Sequence, residues 1–529
     1  MDNNMTAAVS QNQQVLAPVQ PDRDLMVRED TLDKMKNRQK RFQTFGVGSF
    51  LYALFYTFCL YHNASGITYP FFAGGTLLFF GFFTRKLESS SAGEHFHKRF
   101  LVISIVLAGA LNCTTDSGVL IFFNKVLMTV LLGILMLQYW HNLTGWSIAA
   151  YCKGGMTMFF GSVYSMFSPV GDIMAVRRLR HMGEKPESDG KNRRRMLLSV
   201  AIGFAIALPV AAFIMILLAS ADAVFFKLIC DVLTFSFDVS IYESMATIIK
   251  IVCSIVVSGA VCYGFFVYNA APETIKNRND MAVRDTANLD TYIAVTMNAV
   301  MCVIYLLFSG IQIFGLFLGK MNLPEGYTYA SYARHGFFEL VFVSLFNIML
   351  VLFTLAYFKK SAILKVLLTT ICGCTYIMIL SSAYRMLLYI SSYQLTFLRL
   401  FVLWTLLMMA LIMTGVLIYI HNMDFSLFRF GVIVLTVGWL AFSASHPDYW
   451  IASYNIETST EEQKFDSYYL RRRLSLDAVA ALPEDICNSR DSIYYRRAEQ
   501  YQKQAKGLLG LRKFNFSRAY AAHKIELQK

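Results

Sequence analysis

The chain carries little charge for its length. Of its 529 residues only 16% are Asp, Glu, Lys or Arg, while 56% are apolar, with 44 Phe and 25 Met. That balance excludes an ordinary soluble globule, in which about a quarter of the residues are charged. The ten cysteines include no Cys-x-x-Cys pair, so neither a zinc knuckle nor a redox couple is supported. Cys372-Gly-Cys374 has the softness of a metal site, but no His or acid accompanies it. His-Glu-x-x-His and Gly-x-Ser-x-Gly are both missing. The run Gly315 to Lys320 lacks the four-residue gap and the trailing Ser or Thr of a phosphate loop. No catalytic, cofactor-binding or metal-ligating residue is therefore assigned, and no cofactor is expected. The first 30 residues hold no apolar core, so no cleavable signal peptide is expected either.

What the chain does have is runs of about 20 apolar residues, recurring from residue 44 to residue 443. In lipid the backbone must satisfy its own hydrogen bonds, so each run is a helix. The fold class read from this pattern is all-α: a polytopic membrane helix bundle of about 11 spans with a small helical C-terminal domain. Residues 1–43 read as a disordered, basic cytoplasmic tail, 44–443 as the bundle and 444–529 as the terminal domain. The net charge of +13 belongs to loops beside the spans rather than to a nucleic-acid surface.

Basic residues set the orientation. Arg28 to Arg41, then Arg85, Lys86, Lys98 and Arg99, then Lys276, Arg278 and Arg284, then Lys359 and Lys360, all mark the inner side. The turns at His62 to Gly66, Thr114 to Ser117 and Ser391 to Arg399 read as outer. An odd number of spans then puts residues 444–529 outside, in a cell-membrane protein whose N-terminus is cytoplasmic. Lys and Arg outnumber Asp and Glu in this tail, but long terminal segments cross largely regardless of charge. The longest internal loop, 141–195, begins as an interfacial stretch and ends strongly basic. Arg177, Arg178, Arg180, Arg193, Arg194 and Arg195 there suit anionic lipid, at about 1 kcal/mol per basic residue, or serve only to fix topology. Lys125, two turns inside the fourth span, either snorkels outward or pairs.

The densest polar stretch between two spans is Leu323 to Leu340, rich in aromatic rings and alternating charge. Glu339 lies about one turn into the span that follows, and Arg385 lies at similar depth in the next antiparallel helix. Pairing would relieve the cost of each charge, with Arg334 and His335 as competing local partners. These four residues with Arg399 form the candidate external polar cluster. In the preceding span Gly310, Gly315 and Gly319 are spaced for close helix approach.

Four stretches carry a family resemblance: Leu323 to Leu340; Tyr384-Arg-Met-Leu-Leu-Tyr389 with Leu395-Thr-x-x-x-Arg399; Pro447-Asp to Ile456; and Tyr469-Leu to Leu474-Ser-Leu-Asp-Ala478. Together they resemble the bacterial membrane family called domain of unknown function 4173, formerly grouped under 4153, over about residues 200–520. Where that family has Tyr-Gly-Leu-Thr this chain has Tyr393-Gln-Leu-Thr396. The resemblance implies a multi-span bundle and assigns no catalytic or binding residue. Three functional classes stay open: a non-enzymatic transporter-like or envelope-associated, sensing protein; a membrane enzyme acting on lipid or lipid-linked substrate; and a membrane partner of a signalling system. The lipid bilayer is the expected partner in all three.

Overall fold

A computed structural model describes residues 23–86, 95–140, 148–182, 239–271, 289–314, 337–359, 361–458, 467–489, 491–505 and 508–525. Every named element among them is helical. The first six are α1 (Arg23–Leu60), α2 (Thr68–Lys86), α3 (His95–Thr114), α4 (Gly118–Trp140), α5 (Ile148–Tyr164) and α6 (Ser168–Met182). Six more complete the apolar part: α7 (Val239–Asn269), α8 (Thr291–Gln312), α9 (Phe337–Tyr357), α10 (Ala362–Tyr393), α11 (Phe397–His421) and α12 (Leu427–Ala444). The tail holds α13 (Pro447–Glu457), α14 (Ser467–Arg472), a 3-10 turn (Leu476–Ala480), α15 (Glu484–Asn488), α16 (Ile493–Ala505), α17 (Leu508–Arg512) and α18 (Phe516–Lys524).

Eight helices among the described residues are long and apolar enough to cross a membrane: α1, α4 and α7 to α12. The expected second span is the shorter apolar stretch Thr68–Phe83 of α2, and the third is α3. The expected fifth, 196–219, lies outside the described residues, as do Gly315 and Gly319. The chain is thus an all-α, membrane-embedded multi-pass bundle. Its outward-facing side chains agree: Val300, Leu307, Phe342, Val366 and Leu387 are apolar and more than half exposed, as lipid contact requires.

The chain divides into two compact units. Unit 1 takes residues 1–53 and 162–267, and among its described parts α1, α6 and α7 meet. Phe45 stacks on Phe266 at 5.5 Å between centroids. Gly264 lets α7 approach the 3-10 turn at Ser165, where a Cβ would stand 2.7 Å from backbone atoms. Asp172 of α6 is buried against Arg41 (3.4 Å) and Arg38 (3.9 Å), and the Tyr263 hydroxyl donates to it at 2.8 Å. Arg178 and Arg180 are exposed on the same helix, while Arg193 to Arg195 lie outside the described residues.

Unit 2 takes residues 54–161 and 268–529. Its centre is α10, which packs on α8, α9 and α11. It runs 32 residues without a break. Leu368, Ile371 and Cys372 of α10 are fully buried there. α12 joins α11 to the α3–α4 pair. Lys125 of α4 neither pairs with an acid among the described residues nor projects free, because its amine stands 5.0 Å from the Tyr69 ring centroid.

At Gly310 a Cβ would meet no atom within 4 Å among the described residues, so close packing through this glycine is not seen there. Close approach occurs elsewhere, at Gly109, where a Cβ would lie 3.0 Å from Ala73 and 3.1 Å from the Tyr69 carbonyl. The reason is which face the glycine occupies. The buried face of α8 carries Asn298, Cys302, Tyr305, Ser309 and Gln312, and Gly310 is off that stripe.

Candidate functional site

Two polar constellations stand out in unit 2, one fastening the tail and one inside the bundle. The first begins with a span exit. α12 ends at Ala444, and His446 turns the chain with φ 50° before Pro447 starts α13. Proline at a first helical position needs no amide partner, so the turn can be abrupt. It brings Asp448 to the Ser475 amide (3.1 Å) and hydroxyl (2.5 Å). Ser475 also caps the 3-10 turn by accepting from the Asp477 amide.

Asp477 then reaches back 361 positions to the α3–α4 turn, where the Asp116 amide donates to it at 2.7 Å. The Thr115 and Ser517 hydroxyls donate as well, and His446 Nδ1 lies 3.4 Å away. Asp116 receives Arg518 at 2.5 Å and Arg497 at 3.2 Å. Asn515 donates to the Thr115 carbonyl at 2.9 Å. All three carboxylates are buried, and each has fixed partners, as buried charge requires.

Electrostatics separates the three groups. Burial pushes the Asp448 carboxyl up to about 6, against the hydrogen bonds from Ser475, with the Asp477 charge adding to the rise. Burial also raises Asp477, but hydrogen bonds from His446, Ser517, Thr115 and the Asp116 amide outweigh it and hold that carboxyl below its ordinary value. The hydrogen bond to Asp477 raises the His446 imidazole against its own desolvation, helped by the charges of Asp477 and Asp448. Among the described residues no three His, Cys, Asp or Glu side chains are placed to hold a metal ion. The node works as a clamp: it ties the 3-10 turn, α16 and α18 to one end of the bundle.

The second constellation is a polar seam between α8, α9 and α10. Asn347, ten residues from either end of α9, donates to the Thr375 hydroxyl at 3.0 Å. Toward one end of the helices Asn298 stands 3.4 Å from the Thr354 hydroxyl. Toward the other, the Gln312 side-chain oxygen accepts from Ser381 (2.7 Å) and from the Arg385 guanidinium (3.3 Å). All seven side chains are buried. The Oδ1 atoms of Asn298 and Asn347 and the Ser309 hydroxyl have no hydrogen-bond partner among the described residues.

A cleft opens at each end of α9, α10 and α11. One of about 370 Å³ includes Thr354, Phe358, Lys365, Leu368 and His421 in its lining. The other, about 340 Å³, is lined by Phe337, Phe338, Met386, Tyr389 and Arg399 among others. Thr354 puts one end of the seam at the first cleft, whereas Arg385 at the other end is not among the residues that line the second.

The described residues of the expected external cluster fall into three groups. Arg385 belongs to the seam and bonds to Gln312. Glu339 is exposed on the first turn of α9, and no ion pair joins it to Arg385 among the described residues. Arg399 lines the second cleft, donates to the Tyr393 carbonyl at 2.6 Å and lies over the Tyr389 ring at 4.2 Å. Arg334 and His335 lie outside the described residues. Sequence reasoning missed the clamp, although Pro447-Asp448 and Leu474-Ser-Leu-Asp477 were both visible as motifs. The two motifs meet each other across 27 positions, but the α3–α4 turn that Asp477 reaches stands 361 positions away and no periodicity links it to the tail. The seam had a fainter signal, in Asn298, Gln312 and Asn347 interrupting apolar runs.

Helices long enough to cross lipid, a seam of buried amides and a clamped helical tail define a polytopic all-α membrane protein. The chain belongs to the family described as Domain of unknown function (DUF4153), whose model matches residues 102–484. That match does not extend to the narrower 4173 grouping or to a bacterial source. Neither the curated proteins nor the solved structures contain a match to this chain.

Proposed function

We propose that this protein is a non-enzymatic, transporter-like protein of the cell membrane, with polar solute handled along the seam between α8, α9 and α10. One observation carries the reading: buried polar side chains extend along α8, α9 and α10 from Thr354, at the first cleft, to Arg385 toward the other end of the helices. An acceptor buried without a partner costs about 1–3 kcal/mol. Asn298 and Asn347 each carry such an acceptor. Intramembrane polar groups kept at that cost are expected where a solute or proton must pass.

Two native thiols on the seam provide the test. Cys302 of α8 and Cys374 of α10 are buried beside it. In intact membranes a small water-soluble methanethiosulfonate should label at least one of them, as mapped by peptide mass spectrometry. Asn347→Leu should suppress that labelling. Labelling seen only after denaturation would mean a solid bundle and would end the transport reading.

A sensing or docking role is the second reading, favoured by the clamp. Asp448 and Asp477 with His446 give the tail a fastening that responds to protonation. We place this tail outside the cell and the N-terminus in the cytoplasm, with the exposed Arg178 and Arg180 toward anionic lipid. The basic flanks and the span order support that orientation.

A further inference from the structure

We propose that the cleft between the ends of α9, α10 and α11 farthest from the tail is a binding site for an anionic phospholipid. This inference stands apart from the transport reading. The depth of the cleft is apolar: Leu355, Phe358, Leu364, Leu368 and Ile420 line it. Its polar lining includes Lys365, His421 and Ser361, and no Asp or Glu is among the lining residues. Asp290 and Asp424 are nearby in sequence to elements of this end, but neither lines the cleft. The volume, about 370 Å³, is within the usual range for small-ligand sites.

The setting selects a lipid over a water-borne anion. Lys365 is flanked on α10 by Ile363 and Val366, which are 64% and 66% exposed. In a membrane helix such side chains face acyl chains. An amine among them sits at the height where headgroup phosphate and acyl chain meet, and Lys reaches that level by snorkelling. Lys365 has no acidic partner among the described residues, so its charge is available to a phosphate. His421 directs Nδ1 toward the Leu417 carbonyl at 3.0 Å, which leaves Nε2 to accept a hydrogen bond from a headgroup hydroxyl. Phosphate at Lys365, a headgroup hydroxyl at His421 and a chain against Leu364 and Leu368 satisfy both parts of the cleft.

Native mass spectrometry of the full chain in neutral detergent tests this. Phosphatidylglycerol should be retained over phosphatidylcholine of the same chain length. Lys365→Glu should lower its occupancy at least tenfold, and Ala362→Trp, which fills the cleft with Lys365 intact, should do the same. Arg178→Glu with Arg180→Glu, on the basic helix of unit 1, should leave the preference in place. If Lys365→Glu does not fold, Lys365→Gln and Ala362→Trp give the same reading. Four results would each overturn the proposal: no preference for phosphatidylglycerol, wild-type occupancy in the cleft variants, loss that follows the Arg178 and Arg180 changes, or equal retention of soluble glycerol phosphate.

Discussion

Raising the pH from 4 to 8 should loosen the clamp that holds the tail, the reverse of what a carboxylate-rich site usually does. Asp448 sets the sign. Its carboxyl titrates near 3.8 when exposed and near 6 in the folded chain. The unfolded form therefore gives up its proton first, and stability falls as pH climbs through that window. The gap corresponds to about 3 kcal/mol, or roughly a 150-fold change in the opening equilibrium. Asp448 is buried, so solvent screening does not reduce this much. His446 acts in the same direction. Its folded value is raised above 6.5, so its contribution is complete below 6.5 and is lost as pH rises through the folded value. Asp477 is lowered and opposes only at the acid end, where its contribution disappears as pH falls below 3.8. The remaining charges around the node are Asp116, Arg497 and Arg518, with Tyr469 and Tyr494 also near Asp448. Hydrogen exchange at the Ser475 to Ala478 amides, corrected for intrinsic rate, reads the opening directly. Asp448→Asn keeps an acceptor for Ser475 and should remove the part of the slope between pH 4 and 6. A clamp that tightens from pH 4 to 7, or an Asp448→Asn variant that keeps the wild-type slope, would refute the reasoning.

Three more outcomes follow from particular contacts. Gly264→Ala should destabilise unit 1 by about 1–3 kcal/mol, because its Cβ would meet backbone at Ser165 that no rotamer change can clear; thermal unfolding in detergent measures this. Gln394→Gly should raise stability by about 1 kcal/mol, because φ 66° with ψ 173° is a region that only glycine occupies freely. An unchanged or lowered melting point would show that the Gln side chain contributes more than the strain costs. Alkaline phosphatase fused after residue 460 should be active and after residue 30 inactive; the opposite pattern would invert the proposed orientation.

The bundle was legible because lipid imposes one rule on every span: about 20 apolar residues with the backbone bonded internally. That rule found α4 and α7 to α12 from sequence. It could not rank the glycines, since spacing says which residues share a face but not which face is buried. Gly310 has the right spacing and the wrong side, while Gly264 and Gly109 make the close contacts. Arg385, singled out as a charge at depth, is buried, and its described partner is Gln312, a neutral residue at the end of another helix. Charge reasoning favours an acid and had no way to weigh an amide from a nonadjacent span. The clamp was hidden for a different reason. Asp116 and Asp477 are ordinary turn residues locally, and only tertiary structure brings them together.

The backbone itself marks the tail-facing end as the place where local preference yields to tertiary contact. Among the described residues three that are not glycine have φ in the left-handed region: His62, Gln394 and His446. Each lies in a turn at the end of a membrane helix, and each is next to a tail contact. Beside His62, the Asn63 side chain donates to the Arg512 carbonyl at 3.1 Å, and Arg512 donates to the Tyr61 carbonyl. Beside Gln394, Asn455 accepts from the Leu395 amide at 2.8 Å and donates to the Leu395 carbonyl at 2.9 Å. His446 itself meets Asp477. Such backbone conformations cost of order 1–3 kcal/mol and persist only where surrounding contacts over-determine them. Here those contacts come from helices after residue 446 closing on turns made far earlier in the chain. Releasing the tail would therefore free three strained turns at once, so that strain offsets part of what the hydrogen bonds at this end contribute. A protonation change at Asp448 or His446 acts first at the end of α12, where both residues meet the 3-10 turn through Ser475 and Asp477.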